Sequence, residues 1–187
     1  VVWLQKGRVA ASGDPQAVTG QYEQAMIEET ERRRASGVAG QADSEVLPPG
    51  QSRKGSREME IAEVNIQDAE GHPITGIARG NALAVSIVCT ATEPIVSPVF
   101  SLSISDPDGR ILIDSNTEGL DIPDIEQRVL IRVSLDSIDL PGGDYFLDLG
   151  VYEKDWACVY DYHWHMHPLR IHEVNEHTPH NKTRWEF

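Results

Sequence analysis

Ser101, Ser103 and Ser105 alternate with Phe100, Leu102 and Ile104. In an extended chain that spacing sends the hydroxyls to one face and the apolar side chains to the other. Leu147, Leu149 and Val151 do the same for Phe146, Asp148, Gly150 and Tyr152, and Ser86 sits in like register within the run from Leu83 to Cys89. If these strands share a sheet, short hydroxyls line a shallow groove beside a carboxylate and aromatic rings. Hydroxyls and carboxylates hydrogen-bond the OH groups of a sugar, and a ring packs on its C–H surface. Farther on, Tyr160, Tyr162 and Trp164 recur at period two, with Tyr152, Asp155, Trp156 and Asp161 close in sequence. The candidate ligand-contacting set is therefore Ser86, Ser101, Ser103, Asp148, Tyr152, Tyr160 and Tyr162. Two plainer readings compete with it: a solvated polar sheet face, and aromatic packing in a core. Trp164 is assigned to the core or to a dimer contact.

Other chemistry is sparse. His163, His165 and His167 alternate, which predicts one shared strand face. Two such histidines and a third ligand can hold zinc, but no fourth ligand is evident, although Cys158 and Asp161 lie close in sequence. The competing reading is a polar strand or interface edge, and no metal ligand is assigned. Cys89 and Cys158 are expected to be buried; neither belongs to a Cys-x-x-Cys pair, so redox chemistry is not expected. No G-x-x-x-x-G-K-[ST], G-x-S-x-G or H-E-x-x-H occurs. The chain therefore lacks a phosphate-cradling loop, a nucleophile elbow and a zinc-protease helix, and no catalytic residue is assigned.

The bulk properties narrow the field. The 187 residues are 40% hydrophobic and carry a formal net charge of −14, with a pI of about 4.8. That balance disfavours nucleic acid and anionic membranes, whose phosphates are bound by Lys and Arg. No apolar run is long enough to span a bilayer as a helix, and no basic stretch with a long apolar segment opens the chain. Two cysteines suit a reducing compartment better than a disulfide framework.

These residues must be positioned by a chain of three parts. Val1–Leu4 and Val9–Ala10 read as short strands around a turn at Gln5-Lys6-Gly7-Arg8. Asp14-Pro15 then reads as an N-cap with proline at the first helical position. The helical pattern runs to about Arg34, with Val18, Tyr22, Ala25, Met26 and Glu29 near one stripe and Arg32, Arg33 and Arg34 at the end that favours cations. A hairpin and one helix cannot bury a core, so residues 1–34 are expected to be the trailing remnant of another domain. Residues 35–56, rich in Gly and Pro, are expected to be a flexible linker. Residues 57–187 alternate apolar and polar side chains between turn signals such as Asp106-Pro107-Asp108-Gly109 and Pro141-Gly142-Gly143. The pattern predicts an all-β fold, an immunoglobulin-like antiparallel β-sandwich of about eight strands.

The stretch Trp3-Leu4-Gln5-Lys6-Gly7-Arg8-Val9, with Gly13-Asp14-Pro15, Val18 and Tyr22, resembles the last hairpin and helix of ABC ATPase domains. After the linker come Pro98-Val99-Phe100, Asp106-Pro107-Asp108-Gly109-Arg110, Ser115-Asn116-Thr117, Leu140-Pro141-Gly142-Gly143-Asp144-Tyr145 and Val159-Tyr160-Asp161. In that order they resemble the C-terminal domain of Wzt, the ATPase subunit of O-antigen polysaccharide ABC exporters. The likeness covers about residues 57–175 and the remnant before them.

The resemblance implies a non-catalytic domain that binds the exported polysaccharide through its modified non-reducing end, with a polymannose as one candidate polymer. It implies a homodimer in which the C-terminal strand is exchanged. It also implies a membrane permease subunit as partner through the missing ATPase domain, where ATP and Mg would bind, and a cytoplasmic location at the inner membrane of a Gram-negative bacterium. No cofactor and no nucleic acid is expected for this part. The alternatives are a ligand-free dimerisation or regulatory module of an ABC ATPase subunit, and a His-dependent metal-binding enzyme. The run His163–His167 departs from the family pattern, and no role carries over to it. The tail ending in Thr183-Arg184-Trp185-Glu186-Phe187 is expected to pack on a partner protomer.

Overall fold

The computed structural model describes residues 1–5, 7–35, 47–173 and 183–187. Lys6 of the expected turn, residues 36–46 of the expected linker and residues 174–182 before the terminal strand lie outside the described residues.

β1 (Val2–Gln5) and β2 (Arg8–Ser12) form the expected antiparallel hairpin. α1 (Pro15–Ala35) follows. Asp14 caps it: its Oδ1 accepts from the backbone N–H groups of Gln16 at 3.0 Å and Ala17 at 3.2 Å. The predicted stripe is the face α1 turns to the rest of the molecule, with Val18 and Thr30 buried and Tyr22, Ala25, Met26, Glu29 and Arg33 half-buried.

The remaining strands form two sheets packed face to face. A six-stranded sheet has the order β3 (Ser52–Lys54), β11 (Val159–His172), β10 (Gly143–Tyr152), β7 (Val99–Ser105), β8 (Ile111–Asn116). Its sixth strand, β5 (Gly76–Ala78), pairs with β11 in parallel. A four-stranded sheet has the order β12 (Thr183–Glu186), β9 (Arg128–Leu135), β6 (Leu83–Ala91), β4 (Met59–Gln67). The inward positions read from the alternation build the core: Phe100, Leu102, Ile104, Leu147, Leu149 and Val151 from one sheet face Leu83, Val85, Ile87, Ile131 and Val133 from the other.

One expected boundary changes. The sandwich begins near residue 52, not 57, because Ser52–Lys54 pairs with Tyr162–Trp164. Gly55, at φ +142°, lies so close to the Tyr160 carbonyl that a side chain there would collide with backbone. β11 runs without a break from Val159 through Pro168 to His172. Pro168 falls where neither β3 nor β5 pairs with it, so its missing N–H leaves no partner on that edge unsatisfied.

The terminal strand is seated within its own chain. Trp185 pairs with Val133 and packs against the core, and its indole N–H donates to Ser115 Oγ at 3.1 Å. Phe187 lies 5.9 Å from Phe100, ring centre to ring centre.

Candidate functional site

Pairing decides which expected site residues meet. Phe146 through Tyr152 pair with Ser105 through Val99, placing Asp148 opposite Ser103 and Gly150 opposite Ser101. Tyr162 lies opposite Gly150 on the other side. Ser101, Ser103, Asp148, Tyr152 and Tyr162 therefore share the outer face of the six-stranded sheet, with Asp114 and Asn116 beside them on β8.

Two expected members are elsewhere. Ser86 belongs to β6, in the opposite sheet, where its hydroxyl contacts Gln67 Oε1 at 3.2 Å. Sheet membership is a long-range property, and the spacing around Ser86 carries no trace of it. Tyr160 is buried in the core. Tyr152 pairs with Val159 but Val151 pairs with Asp161, so Tyr160 is an inserted residue that breaks period two. Tyr160, Tyr162 and Trp164 consequently do not share a face.

A wider irregularity governs the histidines. Leu149 pairs with His163 and Leu147 with His167, leaving Trp164, His165 and Met166 opposite Asp148. His163 and His167 turn inward with their leucine partners, and His163 Nδ1 lies 3.0 Å from His167 Nε2. His165, at φ +55°, falls on the outer side. The three do not form one face, and among the described residues no group of three or more His, Cys, Asp or Glu is arranged to hold a metal ion.

The outer face carries a row of rings. Trp156 lies 4.6 Å from Tyr152, Tyr152 lies 6.4 Å from Tyr162, and Tyr162 lies 6.5 Å from Trp164. His165 is then stacked between Trp164 at 4.2 Å and Phe146 at 4.3 Å. Tyr152, Trp156, Tyr162, Trp164 and Phe146 are all half-buried. Trp164 also spans the β7–β8 turn: a Cβ on Gly109 would meet it at 3.1 Å. Trp156, Trp164, Phe146 and His165 were absent from the expected set; Trp164, expected in the core or a dimer contact, is half-buried on this outer face beside Tyr162 and His165. Phe146 was legible in the alternation; Trp156 and His165 depend on turn and bulge geometry.

Among the described residues, two of the four non-glycine residues with positive φ, Trp156 at 56° and His165 at 55°, contribute rings to this row. Each such conformation costs ~1–2 kcal/mol in a residue with a Cβ, and such strain concentrates at working sites.

Asp148 is fully buried beneath the rings. Ser105 Oγ donates to it at 2.5 Å and the backbone N–H of His165 at 2.6 Å, so the carboxylate anchors the bulge that presents His165. Ser103 is also buried. Burial first, then the charges of Asp114 and Asp148, raises the Tyr152 pKa above its ordinary value despite a hydrogen bond with Ser101. Burial, Tyr152 and the same two carboxylates raise Tyr162. Both phenols stay protonated at neutral pH and can donate.

Beneath the sheet, on its inner side, Asp161 joins β11 to the first strands. It accepts from Arg53 at 2.7 Å, from Arg57 at 2.7 Å and from the backbone N–H of Ile61 at 2.8 Å. Burial alone would raise its pKa. Hydrogen bonds from His163 and Arg53 and the charges of His163 and Arg57 outweigh that and hold it below the ordinary carboxylate value. This network ties the edge of the six-stranded sheet to β4 and is structural. Cys89, fully buried, has its thiol pushed up to about 12 by burial and by Asp161, which leaves it inert.

The comparisons with known proteins agree with this architecture. Residues 50–183 match the family model described as the Wzt C-terminal domain. A crystal structure of the C-terminal domain of Wzt superimposes with a TM-score of 0.61 at 17% identity, covering 72% of this chain and 83% of that one. A Niemann-Pick type C2 protein from the Japanese carpenter ant, at 12% identity, covers 60% of this chain and 91% of its own with a TM-score of 0.38, too low to carry an argument. No curated protein matches the chain. With the family model covering most of its length, the chain belongs to the Wzt C-terminal domain family, the non-catalytic carbohydrate-binding domains of O-antigen export.

Proposed function

We propose that this domain binds a segment of O-antigen polysaccharide across the outer face of the six-stranded sheet. The observation that carries the reading is the ring row Trp156–Tyr152–Tyr162–Trp164, half-buried and flanked by Ser101, Asp114 and Asn116. Rings stack on the C–H faces of successive sugars, and the hydroxyl, amide and carboxylate take their OH groups. Asp148 acts from below by holding the bulge. Ser86 and Tyr160 take no part.

In the exporter this domain selects finished chains by their non-reducing end, with a polymannose as one candidate. The hairpin and α1 join it to an ATPase domain, through which it meets the permease at the cytoplasmic side of the inner membrane. A homodimer by exchange of the last strand would seat Trp185 and Phe187 on a second copy through the same contacts they make here.

The test is calorimetric titration of the chain with delipidated O-polysaccharide from the organism that encodes it, and with dextran as a mismatched polymer. Binding of the first alone supports the reading; equal binding of both, or of neither, overturns it.

A further inference from the structure

The loop joining β10 to β11, residues 153–158, holds Trp156 in the left-handed region at φ 56°. Within the loop, the N–H of Trp156 donates to the Glu153 carbonyl at 2.8 Å and that of Glu153 to the Cys158 carbonyl at 3.0 Å. These two bonds form a turn but leave the Trp156 carbonyl and the Glu153 side chain to be held from outside.

α1 supplies what is missing. The Tyr22 hydroxyl donates to the Trp156 carbonyl at 3.1 Å. Arg33 donates to both carboxylate oxygens of Glu153, at 3.0 and 2.9 Å, and reaches Glu58 at 3.6 Å. Thr30 Oγ1 accepts from the N–H of Val159 at 3.1 Å. Tyr22, Thr30 and Arg33 recur at helical spacing on one side of α1. Tyr22 is itself braced by Trp3 of β1, edge to face at 5.7 Å. A continuous line of contacts thus runs from the hairpin through Tyr22 to the Trp156 carbonyl, and through the Trp156 ring to Tyr152.

The cavity beside this joint, about 660 Å³, is lined by Trp3, Tyr22 and Arg33 on one side and by Glu153, Asp155 and Ala157 on the other. Alternate residues of the loop therefore face the helix side, while Trp156 between them faces the ring row.

We infer that Tyr22 and Arg33 of α1 are positioning residues for the carbohydrate face: by holding the 153–158 loop they keep the Trp156 ring packed against Tyr152, tilted at 47°, so affinity for the polysaccharide depends on the docked helix. The inference rests on the ring row being the binding face. It carries a reciprocal consequence, because a ligand that favours Trp156 packed against Tyr152 must favour the docked helix by the same factor. The helix is then the mechanical route by which occupancy of the face is felt at the hairpin.

The test uses the full chain and Tyr22→Phe, which removes one hydroxyl and leaves the ring on Trp3. The expected result is about threefold to tenfold weaker binding of the O-polysaccharide, the effect of one hydrogen bond. It is accompanied in the free chain by a shift of the Trp156 indole N–H resonance, assigned with Trp156→Phe. In the Trp156→Phe background the same Tyr22 change should cost no further affinity, which a general loss of stability would not reproduce. Arg33→Gln should act in the same direction. Unchanged affinity in Tyr22→Phe overturns the inference, as does an unmoved Trp156 resonance. If the unaltered chain binds no polysaccharide, the ring-face reading is what fails, and the resonance alone decides whether α1 positions Trp156.

Discussion

The ring of Tyr152 lies flat over Gly150, where an added Cβ would come within 2.7 Å of the Tyr152 hydroxyl oxygen and of Ser101 Oγ. The absent side chain on β10 is what lets the phenol cross the sheet towards β7 and lie between Trp156 and Tyr162, its ring tilted against each. Gly150→Ala should therefore lift Tyr152 off the face. The colliding atoms belong to side chains rather than backbone, so moving them aside costs about 1 kcal/mol. Polysaccharide affinity should fall while the denaturant midpoint moves little. A variant that binds normally would show that Tyr152 need not lie down.

Asp161→Asn should be far more damaging to stability. The substitution leaves Arg53 and Arg57 beside a neutral group in a site from which Asp161 is wholly excluded from water. Removing one partner of such a pair costs about 3–5 kcal/mol, read as a lower denaturant midpoint at neutral pH. Because the pKa of Asp161 is lowered on folding, its contribution is present above the unfolded carboxylate value. It is lost as pH falls through the folded one. The unaltered chain and the variant should therefore converge in stability at strongly acidic pH.

His167 provides a second pH dependence in a different window. Burial, and then the charge of His163, lowers its pKa from 6.5 to about 4. The unfolded chain binds a proton in this interval that the folded chain refuses, so stability rises with pH across it and is lost as pH falls from 6.5 toward 4. Between pH 8 and pH 5 this amounts to about 2 kcal/mol. His167→Gln should remove that part of the loss, measured as the change in denaturant midpoint between the two pH values. An identical pH dependence in both proteins would contradict the assignment.

Local patterns carried much of the architecture. Alternation at Phe100–Ser105 and Tyr145–Tyr152 marks the inner and outer faces of two central strands, and Asp14-Pro15 marks the start of α1. β11 was misread because its two irregularities contain no glycine. Nothing local announces that Tyr160 is an inserted residue or that His165 adopts positive φ; both follow from pairing with β10 and from the Asp148 anchor. β3 was hidden for the opposite reason. Ser52-Arg53-Lys54 has no apolar alternation, and it is a strand because β11 offers it an edge and Asp161 offers Arg53 a partner. Ser86 has the right spacing in the wrong sheet. Trp185, expected to pack on a partner protomer, packs in this structure on Val133 and the core of its own chain.

The most direct test of the central claim is to titrate O-polysaccharide into Tyr152→Ala, Tyr162→Ala and Ser86→Ala side by side. If sugars stack on the outer ring row, each tyrosine change should weaken binding roughly fivefold to tenfold, and Ser86→Ala, on the far sheet, should leave it unchanged. Full affinity in both tyrosine variants, or a loss in Ser86→Ala as large as theirs, would place the ligand elsewhere and contradict the account.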